Sequence, residues 1–201
     1  MSNNLNMPPM RGLEELQSAL FEHLSRVGGA VRAEGFSSML DPLMRRTLER
    51  GFAEAGADEG TVWLLDQAGE NLVPAFNNGP DAGKFVGHFK QPLNRGLICM
   101  VFASEQPFLE NEILKNPRQS KALDHLLHVQ TCAMIAVPFP LLRACRGVVS
   151  CVRLKKPEAP EPHPAPEFRP EHLSAIQQAT TLLSRLLELK LLAQAIGWAG
   201  E

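Results

Sequence analysis

No stretch of about 18 apolar residues occurs in this 201-residue chain, so no segment has the length needed to cross a bilayer as a helix. Charge of one sign is also lacking: 20 Lys and Arg stand against 22 Asp and Glu, a formal net charge of -2. Phosphate backbones and anionic lipid surfaces are recognised by clustered positive charge. Neither nucleic acid nor a membrane is therefore expected as a partner. The chain does not open with a positively charged segment followed by an apolar run, so no secretory leader is expected and the cytoplasm is the expected location. Cysteine is sparse. Cys99, Cys132, Cys145 and Cys151 include no C-x-x-C pair of the kind that builds structural zinc, and in a reducing compartment they are expected to be core thiols.

What is present suits a single domain with one sizeable core, since 44% of the residues are hydrophobic and 21% are charged. From Gly12 to Ala55 the chain reads as helical. Leu13, Leu16, Leu20, Leu24, Val27 and Val31 recur at the three- and four-residue steps that align side chains on one helix face. Gly35 and Ser37 are expected to break this helix, and Met39, Leu40, Leu43 and Leu48 form a second, less regular apolar face. Residues 1–42 read as an N-terminal helical extension.

Short strand-like runs follow at Thr61–Asp66, Leu72–Asn77, Val86–Phe89, Pro107–Leu109, Thr131–Phe139 and Gly147–Lys155, with residues 67–70 as a hairpin turn. Helical segments near Arg95–Ser104 and Lys121–Val129 interrupt them. The last two strands are near-continuously apolar, which predicts burial on both faces. Ala133, Ile135 and Val137 should face the terminal helices, and Cys132, Met134 and Ala136 the middle ones.

Residues 157–170 form a proline-rich linker that forbids helix; it is a spacer or a docking motif for a proline-reading domain. Residues 171–196 then read as one long helix with two apolar stripes. Leu173, Ile176, Thr180, Leu183, Leu187 and Leu191 make the first; Ala175, Ala179, Leu182, Leu186, Leu189, Ala193 and Ile196 make the second. Gln177, Ser184, Arg185, Glu188 and Gln194 form a narrow polar strip between them. One stripe suffices to hold a helix on a small domain, and a second would expose an apolar ridge. A homodimer through Ala179, Leu182, Leu186, Leu189 and Ala193 is expected; the alternative is that the chain's own N-terminal helices cover both stripes.

The segments GTVWLLD, ENLVPAF, PLNRGLICMVFAS, AMIAVPF, RGVVSCV and FRPEHL follow one another in an order that resembles the GAF domain family, over Leu43–Leu192. Gly96, Pro138 and Gly147 match turn and strand positions usual in that family. The resemblance implies an α+β fold of GAF/PAS-like type: a six-stranded antiparallel sheet with terminal helices on one face and ligand-pocket helices on the other. It also implies a non-catalytic regulatory domain that senses a small molecule or docks a signalling partner. With no kinase, cyclase, ATPase or helix-turn-helix segment in the chain, output is expected to pass through a separate effector protein, the alternative being that the chain is a module excised from a larger signalling protein.

Departures from specialised GAF domains narrow the reading. Cyclic-nucleotide-binding members carry N-K…F-x-x-x-D-E, where this chain has Phe168-Arg169-Pro170-Glu171-His172, and bilin-binding members use a Cys followed by His, a pair absent here. His125 and His128, spaced i, i+3, would share a helix face with Asp124 or Cys99 nearby, but no metal or other cofactor is expected. An enzymatic alternative resembles the GAF subfamily that reduces free methionine-R-sulfoxide, with Cys99 and Cys132, or less readily Cys145 and Cys151, as the thiols. The resemblance implies a pocket roofed by the middle helices. Phe76, Phe89, Leu97, Cys99, Val101, Leu127 and Met134 are its candidate walls, and Asn78, Asn111, His128 and Thr131 its polar anchors. A cavity of roughly 300 Å³ or more is expected for a typical small-molecule site.

Overall fold

The computed structural model of the chain describes residues 13–29, 31–155 and 167–198, with residues 13–17 and 20 described by backbone only. The side chains of Leu13, Leu16 and Leu20, and all of the proline-rich linker before residue 167, lie outside the described residues. Three helices come first: α1 (Leu13–Gly29), α2 (Ala33–Met39) and α3 (Pro42–Glu54). Gly35 does not break the chain, since it sits inside α2. The first helix ends earlier, at Gly29, and α2 starts at Ala33 after an extended Arg32; a second break falls at Leu40–Asp41, where the Asp41 carboxylate accepts from Met44 N at 2.9 Å and Pro42 takes the first turn. An N-cap followed by proline is a stronger local signal than one glycine.

The sheet contains β1 (Glu59–Leu65), β2 (Asn71–Asn77), β3 (Gln91–Pro92), β4 (Phe108–Glu110), β5 (Thr131–Leu141) and β6 (Ala144–Leu154). All neighbours are antiparallel and the spatial order is β3-β2-β1-β6-β5-β4. The expected strand at Val86–Phe89 is not a strand. A short helix α4 (Ala82–Phe85) precedes it, and Phe85 O accepts from both His88 N and Phe89 N. Gly87 at φ 78° turns the chain, so the edge strand begins only at Gln91.

Helices α5 (Leu97–Ser104) and α6 (Ala122–Leu127) cover one face of the sheet, and α2, α3 and α7 (Pro170–Ala195) cover the other. Each face has its own apolar cluster. Ala133, Ile135, Val137, Val149 and Cys151 pack with the terminal helices; Met134, Ala136 and Val148 pack with α5. The double burial explains the unbroken apolar composition of β5 and β6. Phe36 of α2 is fully buried and meets Phe139 edge-on at 6.2 Å, so α2 shares the core of the sheet.

Along α7 the first stripe is the buried one: Ile176, Leu183, Leu187 and Leu191 are inside. The second stripe is divided. Ala179 is buried where it meets Gly51 of α3, and Leu186 packs against the core, whereas Leu182, Leu189 and Ile196 are 51%, 63% and 58% exposed. Ser184 is not part of a polar strip; it is buried and donates to Thr180 O at 3.0 Å, the usual way a mid-helix hydroxyl is satisfied. Among the described residues no helix is long and apolar enough to cross a membrane.

Candidate functional site

Antiparallel pleating places Glu59, Thr61 and Trp63 of β1 on the sheet face that looks toward α5 and α6. There they border a cavity of about 80 Å³ together with Asn77, Ser150 and Met134 of the neighbouring strands. Phe85 and Phe89 close one side, Leu97 and Ile98 of α5 another, and Leu123, Asp124 and Leu127 of α6 complete the roof. Typical small-molecule sites enclose roughly 300 Å³ or more. The observed space is thus smaller than the expected cavity.

The floor carries a chain of polar contacts. Asn77 Nδ2 donates to Thr61 Oγ1 at 3.0 Å and to Glu59 Oε2 at 3.4 Å, while Asn77 Oδ1 accepts from Gly79 N at 2.6 Å. Trp63 Nε1 donates to Ser150 Oγ at 2.9 Å. Burial pushes the Glu59 carboxyl above its ordinary range, with the negative charges of Asp81 and Asp58 adding to the rise and the Asn77 hydrogen bond opposing it. The roof is tied down by Asp124, which accepts from Thr131 N at 3.0 Å, Thr131 Oγ1 at 2.8 Å and Gln119 Nε2 at 3.4 Å. The carboxamide oxygen of Gln119 is buried without a hydrogen-bond partner.

Of the candidate pocket residues, Phe89, Leu97, Leu127, Thr131 and Met134 border this cavity. The others lie elsewhere. Phe76 packs on the opposite face of the sheet, where Arg45 stands over its ring at 5.6 Å. Asn78 is exposed and accepts from Gly60 N, Val101 is packed within the α5 cluster, and Cys99 donates to Pro92 O behind the cavity. Asn111 pairs with the backbone of Phe168 through both ends of its amide, at 2.9 and 2.8 Å, which anchors the entry to α7. His128 closes α6 in a left-handed conformation, φ 56°, with its imidazole exposed, as is that of His125. Among the described residues no group of three His, Cys, Asp or Glu side chains is placed to hold a metal ion.

Glu59 was missed because it precedes the expected strand Thr61–Asp66, and Thr61, Asn77 and Ser150 because they sit in strands whose sequence reads as core. Stepping back from Trp63 by twos would have found the first two.

The sequence pattern of the GAF domain matches residues 39–187. The chain belongs to the GAF domain family. Solved structures agree on the fold: the GAF domain of a phosphoenolpyruvate-protein phosphotransferase from Coxiella burnetii matches with a TM-score of 0.59 at 17% identity, over 89% of this chain and 95% of that one. The corresponding Acinetobacter domain gives 0.55 at 16% identity, over 90% and 97%. The second GAF domain of DevS from Mycobacterium smegmatis gives 0.57 at 18%, over 78% and 99%. No curated protein matches the sequence. GAF domains are typically sensory and regulatory modules of signalling proteins, and generally non-catalytic.

The thiols of this GAF domain are all held above the ordinary cysteine range, chiefly by burial. Cys99 is pushed up to about 11 and Cys151 to about 12, and Cys132 and Cys145 move in the same direction. A thiol raised in this way is protonated at neutral pH, whereas a nucleophilic cysteine needs a lowered value.

Proposed function

We propose that this GAF domain is a non-catalytic regulatory module that takes a small molecule into the cavity between the sheet and α5 and α6. The observation that carries this reading is the cavity's composition: apolar side chains from four elements surround a floor of Thr61, Asn77 and Ser150, the mixture that small-molecule sites use. The protonated thiols weigh against the sulfoxide-reductase alternative. Native mass spectrometry of the purified protein tests the reading by looking for a retained small molecule. Leu127→Trp, which fills the cavity, should abolish that retention in a folded protein. Retention unchanged in that variant would overturn the reading.

A dimeric arrangement is favoured by a separate observation. Ala175, Ala179, Leu182, Leu186, Leu189, Ala193 and Ile196 follow one another at alternating steps of four and three, a 3.5-residue repeat, along α7. That repeat is the seam of a left-handed two-stranded coil. Its exposed members, Leu182, Leu189 and Ile196, are the residues that a second copy of the chain would cover. A ligand in the cavity would then act on an effector protein through a dimer whose α7 helices run side by side. The opposing reading, a docking module with no ligand, is favoured by the cavity's modest 80 Å³, and an absence of any retained or added ligand by mass spectrometry would establish it.

A further inference from the structure

The cavity has a charge signature that its apolar walls do not suggest. Among the described residues two carboxyl groups, Glu59 and Asp124, border it, and no Lys, Arg or His does. Asp124 is committed as the acceptor for Thr131 and Gln119. Glu59 is not. Among the described residues its carboxyl has one hydrogen bond, the 3.4 Å contact from Asn77 Nδ2, and no ion pair. A partly buried carboxylate without a cation loses hydration and recovers little of it. The backbone packs closely against it: any side chain at Gly79 would collide with the Glu59 carboxyl, so the glycine leaves the carboxyl room to sit where it does.

Aromatic side chains make up only 6% of the chain, yet Trp63, Phe85 and Phe89 all border the same small cavity. Trp63 and Phe89 meet edge-on with ring centroids 6.1 Å apart. Aromatic walls beside a carboxylate attract cations, through the negative ring faces and the charge together. The unpartnered Gln119 oxygen adds a further acceptor and no donor.

We propose that this cavity selects a small organic cation, an alkylammonium or methylated ammonium group, with Glu59 as its counter-charge and Trp63, Phe85 and Phe89 as its walls, and that it rejects anions. The inference rests on the small-ligand reading of the cavity given above. It differs from that reading in committing to the sign of the ligand's charge. Anionic ligands would enter a site with two carboxyl groups and no compensating base, a like-charge arrangement that disfavours binding.

The test uses the purified protein and four probes: butylammonium chloride, tetramethylammonium chloride, 1-butanol and sodium butanoate, each followed by saturation-transfer NMR and thermal shift. One of the two ammonium salts should bind, butanol at least tenfold more weakly, and butanoate not at all. Glu59→Gln should weaken the ammonium salt at least tenfold. Its Tm without ligand should be unchanged or higher, because the amide removes a charge that is costly to bury; a purely structural Glu59 would give a lower Tm. Should Glu59→Gln not fold, Phe89→Leu takes its place, and unaltered tetramethylammonium affinity in that variant overturns the proposal. Butanol binding as tightly as butylammonium, or butanoate binding more tightly, overturns the charge selection while leaving the ligand-binding role intact. Failure of all four probes, together with no retained molecule in native mass spectrometry, overturns both.

Discussion

The guanidinium carbon of Arg153 lies 4.4 Å from the centre of the Phe168 ring. The same side chain donates through Nε to Gly56 O at 3.1 Å and through Nη2 to Ala55 O at 3.2 Å. One buried cation therefore joins the end of β6 to the C-terminal carbonyls of α3 and to the residue that leads into α7. Carbonyls at a helix end carry the negative pole of the helix and suit a cation, and the aromatic ring adds a cation–π contact.

Arg153→Met should lower stability by about 1–3 kcal/mol, because the buried Ala55 carbonyl loses its charged donor and the more exposed Gly56 carbonyl loses another. Arg153→Lys should recover less than half of the loss, since an ammonium lacks the planar fork that serves both carbonyls. Urea denaturation followed by circular dichroism checks both, and equal stability of all three proteins would refute the joining role.

Gly51 and Ala179 mark a close approach of α3 and α7, where a Cβ added to Gly51 would lie 2.5 Å from that of Ala179. Gly51→Ala should therefore destabilise the protein by about 1–3 kcal/mol through overpacking, against the ~1 kcal/mol that alanine ordinarily contributes in a helix interior. Adding Ala179→Gly should restore part of the loss. Thermal denaturation of the single and double variants measures the coupling.

Replacing Leu182 and Leu189 together by Glu should convert a dimer to a monomer with little change in monomer folding. Both are more than half exposed within one chain, so the new carboxylates desolvate only where a second copy covers them. Leu186 is less suitable because it also packs against the core of its own chain. Sedimentation at micromolar concentration decides, and wild-type protein that sediments as a monomer removes the dimer.

Alkaline pH should destabilise the fold through the thiols. The folded values of Cys99 and Cys151, about 11 and about 12, lie above that of an unfolded thiol, about 8.5. Between those values the unfolded chain loses protons that the folded one keeps, so stability falls as pH rises. The decline should begin near pH 9, where the unfolded thiols ionise, and should be shallower in Cys151→Ala. Consistently, reaction with a thiol reagent at pH 7 should be slow in native protein and fast in urea.

The element pattern was legible because it is local. The near-continuous apolar run of β5 and β6 reports two-sided burial, and Ala133, Ile135 and Val137 do lie on the face opposite Met134 and Ala136. Val86–Phe89 misread as a strand because Phe85 and Phe89 are apolar on both sides of a glycine; only the hydrogen bonds to Phe85 O reveal a helical turn. Asn111 and His128 looked like polar anchors by composition. One is consumed by the Phe168 backbone and the other by a left-handed helix end, roles that depend on partners distant in sequence or on a backbone angle.

By itself the sequence determined the family, the α+β class and the two apolar stripes of the last helix, since these follow from spacing along the chain and from motifs that local folding preserves. Only the tertiary structure decided which part of the second stripe is covered, with Ala179 against Gly51 and Leu182 and Leu189 left in solvent. It also decided which side chains meet around the cavity. Glu59, Asn77, Phe89 and Thr131 come from four separate segments, and strand register and helix placement bring them together, which no local periodicity encodes.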